Sequence, residues 1–205
     1  MNLLELFIAF AVLLVSLTFH ESAHAWTADR LGDPTARLLG RVSLNPAVHA
    51  DPIGTVLFPL IAFTTGAPII GWAKPVPVNI SNLRRQRRDF VLVAAAGPAS
   101  NLVLAVGASL VLHLLEAPGL ALLTPASSFL DSMLHVNILL AVFNMVPIPP
   151  LDGGNVLAGL LPRGAAVTFD RLRPFGFLIL YGLMLTGMLY VLIAPPYRLL
   201  LSWLL

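Results

Sequence analysis

Residues 3–28 read LLELFIAFAVLLVSLTFHESAHAWTA, an apolar run that carries His20-Glu21-Ser22-Ala23-His24 toward its end. A run of this length is what a bilayer-crossing helix requires, about 20 predominantly apolar residues. On a helix, positions i and i+4 share a face, so the two imidazoles of this HExxH pattern can grip one Zn²⁺ while Glu21 handles water beside it. The pentapeptide alone is the core of a hydrolytic metal site, and here it lies where lipid is expected.

The composition supports a membrane protein throughout. Hydrophobic residues make up 58% of the 205-residue chain and charged residues only 11%, with a mean hydropathy of +0.87, whereas a soluble domain is about 25% charged. We read residues 1–205 as a single integral membrane domain, with a core at about 3–161 and a C-terminal span at about 175–194. The first segment has Glu5 in place of a basic n-region and no small-residue cleavage site behind its apolar run, so it reads as a retained helix rather than a signal peptide. With no cysteine, any metal must be held by His, Asp or Glu.

The long apolar runs are 3–28, 53–72, 90–115, 129–146 and 175–193. The second contains Gly54, Pro59, Gly66, Pro68 and Gly71, which would leave backbone groups unpaired in lipid unless protein covers them. If 53–72 does not cross, eleven of the 12 basic residues fall on one side of the membrane and only Arg198 on the other, as the positive-inside rule demands. The expectation is an all-α polytopic membrane protein with about four full transmembrane helices, a re-entrant or broken segment at 53–72, and an outside N-terminus. The cluster Arg84-Arg85-Gln86-Arg87-Arg88 then anchors topology beside anionic headgroups, and no nucleic acid is expected as a partner.

Depth restricts which groups can meet. At ~1.5 Å per residue His20 lies about 25 Å into the first helix, near its cytoplasmic end. His113 and His135 belong near the outer face and read as interfacial or packing residues. Asp152 follows the inward-running span immediately and arrives at the right level, within Asn144-Met145-Val146-Pro147-Ile148-Pro149-Pro150-Leu151-Asp152-Gly153-Gly154. Three prolines break the helix there and the glycine pair permits an unusual path. Read alone, this stretch is better taken as a polar surface turn. His49 and Asp51 could also come close; His49 reads as an interfacial loop histidine or a gating group and is left out of the ligand set.

Taken together these motifs resemble the site-2 protease family of intramembrane zinc metalloproteases, in the form of its small prokaryotic members without a PDZ or CBS domain. The resemblance is carried by HExxH, by Asn144 through Gly153, by Ala96-Gly97-Pro98-Ala99-Ser100-Asn101 and by Gly71-Trp72-Ala73-Lys74-Pro75-Val76-Pro77-Val78. It implies one Zn²⁺ per chain held by His20, His24 and Asp152, with Glu21 as the catalytic residue. Asn144 would bind the substrate backbone or the developing oxyanion, and Asn101 reads chiefly as a packing residue beside Gly97. The implied activity is hydrolysis of peptide bonds in or near transmembrane segments, in regulated intramembrane proteolysis. The partners implied are a transmembrane protein or peptide substrate, the lipid bilayer and a separate regulatory membrane protein. The setting implied is the plasma membrane of a bacterium, with the active site near the cytoplasmic side. A membrane metal-ion transporter and a catalytically silent membrane scaffold are the alternatives. Because a helical peptide bond must unwind before attack, 37–45, where Arg41 to Asn45 alternates polar and apolar, reads either as a short membrane-dipping β segment that pairs with substrate or, equally, as a surface loop held by Gly32, Gly40 and Pro46.

Overall fold

Helix α1 runs unbroken over Leu3–Arg30, 28 residues, so the HExxH pentapeptide lies within its last three turns and is held in helical register. The computed structural model describes residues 3–58, 61, 72–115 and 124–205. After a four-residue helix α2 (Thr35–Leu38) come α3 (Gln86–Leu115) and α4 (Thr124–Asn144). A short α5 (Asp152–Leu160) follows, then α6 (Arg163–Asp170), α7 (Gly176–Leu185) and α8 (Met188–Leu204). Three helices, α1, α3 and α4, are long and apolar enough to cross a membrane, and the bent C-terminal pair raises the number to four if it counts as one span.

These three helices pack through small and branched side chains. Val12, Ala105, Ala108, Met133, Leu134, Ile138 and Val142 form one buried cluster, while large apolar residues such as Phe7, Val103, Leu110 and Leu114 point outward. Lipid tails are as apolar as the core, so burial of hydrocarbon alone does not hold such helices together; polar contacts between them contribute. Ser16, Asn101 and Asn137 are fully buried and supply them. Asn101 Nδ2 donates to Asn137 Oδ1 at 2.8 Å and to the Ser16 carbonyl at 3.3 Å, and Asn137 Nδ2 donates to Ser16 Oγ at 2.8 Å.

Three expectations are revised or reach only part of the chain. The span expected at 175–194 is not one straight helix: the helical segments Arg163–Leu185 and Met188–Leu204 are bent by 80° about a break containing Gly187, whose φ of 73° lies in the left-handed region that glycine adopts without strain. No strand forms over 37–45. Arg37 and Leu38 close α2, and Arg41 turns its buried guanidinium inward to the carbonyls of Val48, Lys74 and Pro75, so a side chain brackets this loop where a ladder would have. Residues 59–60 and 62–71 fall outside the described residues, and the re-entrant reading of 53–72 lies largely there. Before them, Pro52–Leu57 makes one wide helical turn whose start is capped by Asp51.

The chain leaving α1 is tied down by Asp33, which has no exposed surface. Its Oδ1 accepts from Thr35 N, Thr35 Oγ1 and Asn82 Nδ2, and its Oδ2 from Asn79 N at 2.6 Å. Burial by itself would raise the pKa of this carboxyl, but the hydrogen bonds outweigh it and hold the value below 3.8. A carboxylate with a lowered folded pKa contributes stability that is present above its unfolded pKa and lost as the pH falls through the folded one. Asp33→Asn is therefore expected to lower the melting temperature at neutral pH, with the gap to wild type closing below about pH 4. Thermal unfolding of both proteins across a pH series checks this; a gap independent of pH would contradict it.

Candidate metal centre

His20 and His24 stand one turn apart on α1, and Asp152 reaches them from the first residue of α5. The two Nε2 atoms are 3.0 Å apart, and Asp152 Oδ2 lies 3.1 Å from one and 3.4 Å from the other. A tetrahedral zinc with ligand bonds of ~2.0–2.2 Å separates its ligand atoms by about 3.3 Å. The three edges of this triangle therefore have the size that such an ion sets.

The protonation pattern follows from the partners of the other ring nitrogens. His24 Nδ1 faces the Val93 carbonyl at 2.7 Å, which can only accept, so Nδ1 carries the proton. His20 Nδ1 faces Asn101 Oδ1 at 2.6 Å. The Asn101 amide is itself oriented, because its nitrogen donates to the Ser16 carbonyl and to Asn137 Oδ1. Both Nδ1 atoms are therefore donors and both Nε2 atoms turn a lone pair toward Asp152. Asp152 Oδ2 is buried and receives no directed hydrogen bond among the described residues. Three electron-pair donors facing one another at 3.0–3.4 Å repel unless a cation lies between them, and these are the group that could hold a metal among the described residues. The donor set fits Zn²⁺.

Glycines make room for this approach. A Cβ on Gly97 of α3 would lie 2.3 Å from His24 Nε2 and 2.6 Å from His20 Nε2, so only hydrogen lets α3 pass behind the two rings. Asp152 is delivered by a chain reversal after α4, and Gly153 and Gly154 let α5 fold back on it: added Cβ atoms would sit 2.2 Å from the Met145 carbonyl oxygen and 2.7 Å from the Ile148 carbonyl carbon.

Glu21 reaches the irregular stretch at 72–79, where its Oε2 accepts from Val76 N at 3.0 Å. Pro75 and Pro77 flank that residue and have no N–H, so Val76 is the donor the stretch presents there. Glu21, both histidines, Asp152 and Asn144 line one cavity of about 380 Å³. Asn144 closes α4 and donates Nδ2 to the Leu140 carbonyl at 3.0 Å; among the described residues nothing takes its second amide hydrogen.

The remaining histidines lie elsewhere. His113 and His135 bond carbonyls of their own helices, and neither joins the metal group. His49 is 2% exposed, buried behind α1, where its Nε2 meets the Ser43 carbonyl at 2.7 Å and Ser22 Oγ at 3.2 Å. Asp51 caps the turn after it. Sequence reasoning had read Asn101 chiefly as packing; the structure joins it to His20 as well, and the cue available was a polar residue one turn beyond Gly97 in an apolar helix. Asn101→Leu is expected to weaken zinc binding about 10- to 100-fold by freeing the His20 tautomer. Competition against a calibrated zinc chelator measures this, and an unchanged affinity would show that the Asn101 bond does not matter to the ligand.

Comparison with known proteins adds a family. The profile described as Peptidase family M50 matches residues 8–186. YwhC of Bacillus subtilis is 40% identical over 178 residues, covering 85% of this chain and 78% of its own. Rip2 of Mycolicibacterium smegmatis is 35% identical over 84% of this chain and 64% of its own, and Rip2 of Mycobacterium tuberculosis 36% identical over 78% and 59%. All three bear provisional zinc-metalloprotease names. This chain spans less than two thirds of either mycobacterial relative. No solved structure matches.

Proposed function

This chain belongs to peptidase family M50, the site-2 protease family, and from that premise we propose that it is a zinc endopeptidase that cuts membrane proteins within or beside their transmembrane segments. The observation that carries the reading is the triangle of two Nε2 atoms and one carboxylate oxygen at 3.0–3.4 Å, opening on a cavity that contains Glu21. His20, His24 and Asp152 hold Zn²⁺, which when bound supplies Lewis acidity, polarising the scissile carbonyl and making water acidic enough to lose a proton near neutral pH.

The chain's own residues do the rest. Glu21 takes the proton from the attacking water and passes it to the departing amine. The free amide hydrogen of Asn144, on the same cavity wall, steadies the carbonyl oxygen as it gains charge. An unwound substrate lies along Pro75, Val76 and Val78, which line the same cavity as the ligands. The helices form a multi-pass membrane protein, and the charge distribution favours the plasma membrane of a bacterium with the ligands toward the cytoplasm. A transporter is less well supported, because its ligands should flank a polar path through the midplane.

Purified protein in lipid, incubated with single-span peptides, tests the reading directly. Cleavage is expected to stop on chelation and to return with added Zn²⁺, with about one zinc bound per chain. Peptides that remain whole with zinc bound would refute the protease; cleavage indifferent to chelation would refute the metal.

A further inference from the structure

The cavity that holds the metal group also has a cationic wall. Among the described residues Arg173 is the arginine or lysine that lines it. Its position is built. Asn155, one turn after Asp152 on the same face of α5, accepts from Arg173 Nη1 at 2.8 Å, and Asp170 Oδ1 accepts from Nε at 2.8 Å. Three residues on, Gly176 is packed so tightly on the preceding turn that a Cβ would lie 2.3 Å from the Pro149 carbonyl oxygen. The segment bearing Arg173 therefore rests on the turn that delivers Asp152. No bond commits Nη2 among the described residues. Asp170 engages only Nε of the guanidinium, so the Nη2 edge is left to bond an acceptor brought into the cavity.

Asn155 stands about one helical turn, ~5 Å, along α5 from Asp152, and the guanidinium lies one hydrogen bond beyond it. That is too far for the reacting carbonyl and suits a side chain one or two residues from the scissile bond. We infer that Arg173 selects substrates by an acidic side chain at that position, with Asn155 as its positioning residue. The inference rests on the protease reading of this site, and it has a membrane corollary. Most transmembrane segments carry Lys or Arg at their inner flank, and Arg173 repels these. It thereby favours the minority of spans whose inner flank bears Asp or Glu.

The test uses the full chain, zinc-loaded, in lipid, against otherwise identical single-span peptides with Asp, Asn or Lys at each inner-flank position in turn, and cut sites read by mass spectrometry. Wild type is expected to favour Asp over Lys by about tenfold in kcat/KM, the scale of one charge-assisted hydrogen bond. Arg173→Gln should level the preference and Arg173→Glu invert it, with zinc content unchanged. If Arg173→Glu does not accumulate, Arg173→Gln and Asn155→Ala carry the test through a narrowed preference. The same ranking in wild type and variants, or an equal fall across all peptides, overturns the inference and leaves the protease standing. Failure of wild type to cut any peptide, or equal cutting by Glu21→Gln, overturns the protease reading and the inference with it.

Discussion

Replacing Gly97 with alanine is expected to strip the protein of zinc and abolish cleavage while leaving its helices intact. Helix propensity argues the opposite way, since alanine in a helix interior is favoured over glycine by about 1 kcal/mol. Sterics decide the outcome. The new methyl would lie 2.3 Å from His24 Nε2 and 2.6 Å from His20 Cε1 and Nε2, far inside van der Waals contact. The rings cannot swing away cheaply, because Val93 and Asn101 hold their opposite nitrogens at 2.7 and 2.6 Å. Either those bonds break or α3 moves off α1, and both spoil the ligand triangle. A loss of zinc affinity exceeding ~100-fold is expected, beyond the usual effect of disturbing a ligand's supporting bond. Metal analysis of the purified variant, with circular dichroism to confirm its helices, checks this. Full zinc occupancy would mean that α3 does not back the site as described.

Glu21→Gln isolates the proton chemistry. Glutamine has the same shape, and its amide oxygen can still accept from Val76 N, the partner of Glu21 Oε2 at 3.0 Å. It is not one of the three residues of the metal group. Zinc content and melting temperature should therefore stay at wild-type values, while kcat falls about 10²- to 10⁴-fold, the range a general base supplies. Peptide turnover measured beside zinc stoichiometry separates the two effects; a fast, zinc-bound Glu21→Gln enzyme would remove Glu21 from the mechanism.

The parts legible in the sequence were those written in one repeating pattern. Unbroken apolar runs announced α1, α3 and α4, and depth put Asp152 at the level of His20 and His24, but it was the resemblance to the site-2 protease family that singled Asp152 out from a polar turn and from His49 and Asp51. Features that depend on a single backbone angle or a distant partner were harder to read. Gly187 lies in a largely apolar run that reads as a continuous span, and its left-handed φ of 73° marks the break between α7 and α8. The alternation at Arg41 to Asn45 looked like a strand because the pattern does not tell where the arginine points, and it points into the carbonyls of Val48, Lys74 and Pro75. His49 was read as a loop histidine because its cover comes from the far side of α1. Arg173 was counted as one more topology charge; its cavity exists only once α5 has folded back.

The amide chain joining Ser16, Asn101 and Asn137 has a consequence for biogenesis. Helices of a membrane protein leave the insertion machinery in sequence, and α1 emerges first with both histidines already one turn apart. At that stage neither imidazole has its tautomer set from outside, and the third ligand has not been made. Asn101 reaches His20 only when α3 docks, Asn137 fixes the Asn101 amide only when α4 follows, and Asp152 comes after both. The order of synthesis is therefore an interlock: a half-made chain carries a complete HExxH sequence but lacks the assembled metal centre until the turn bearing Asp152 has been made and folded back.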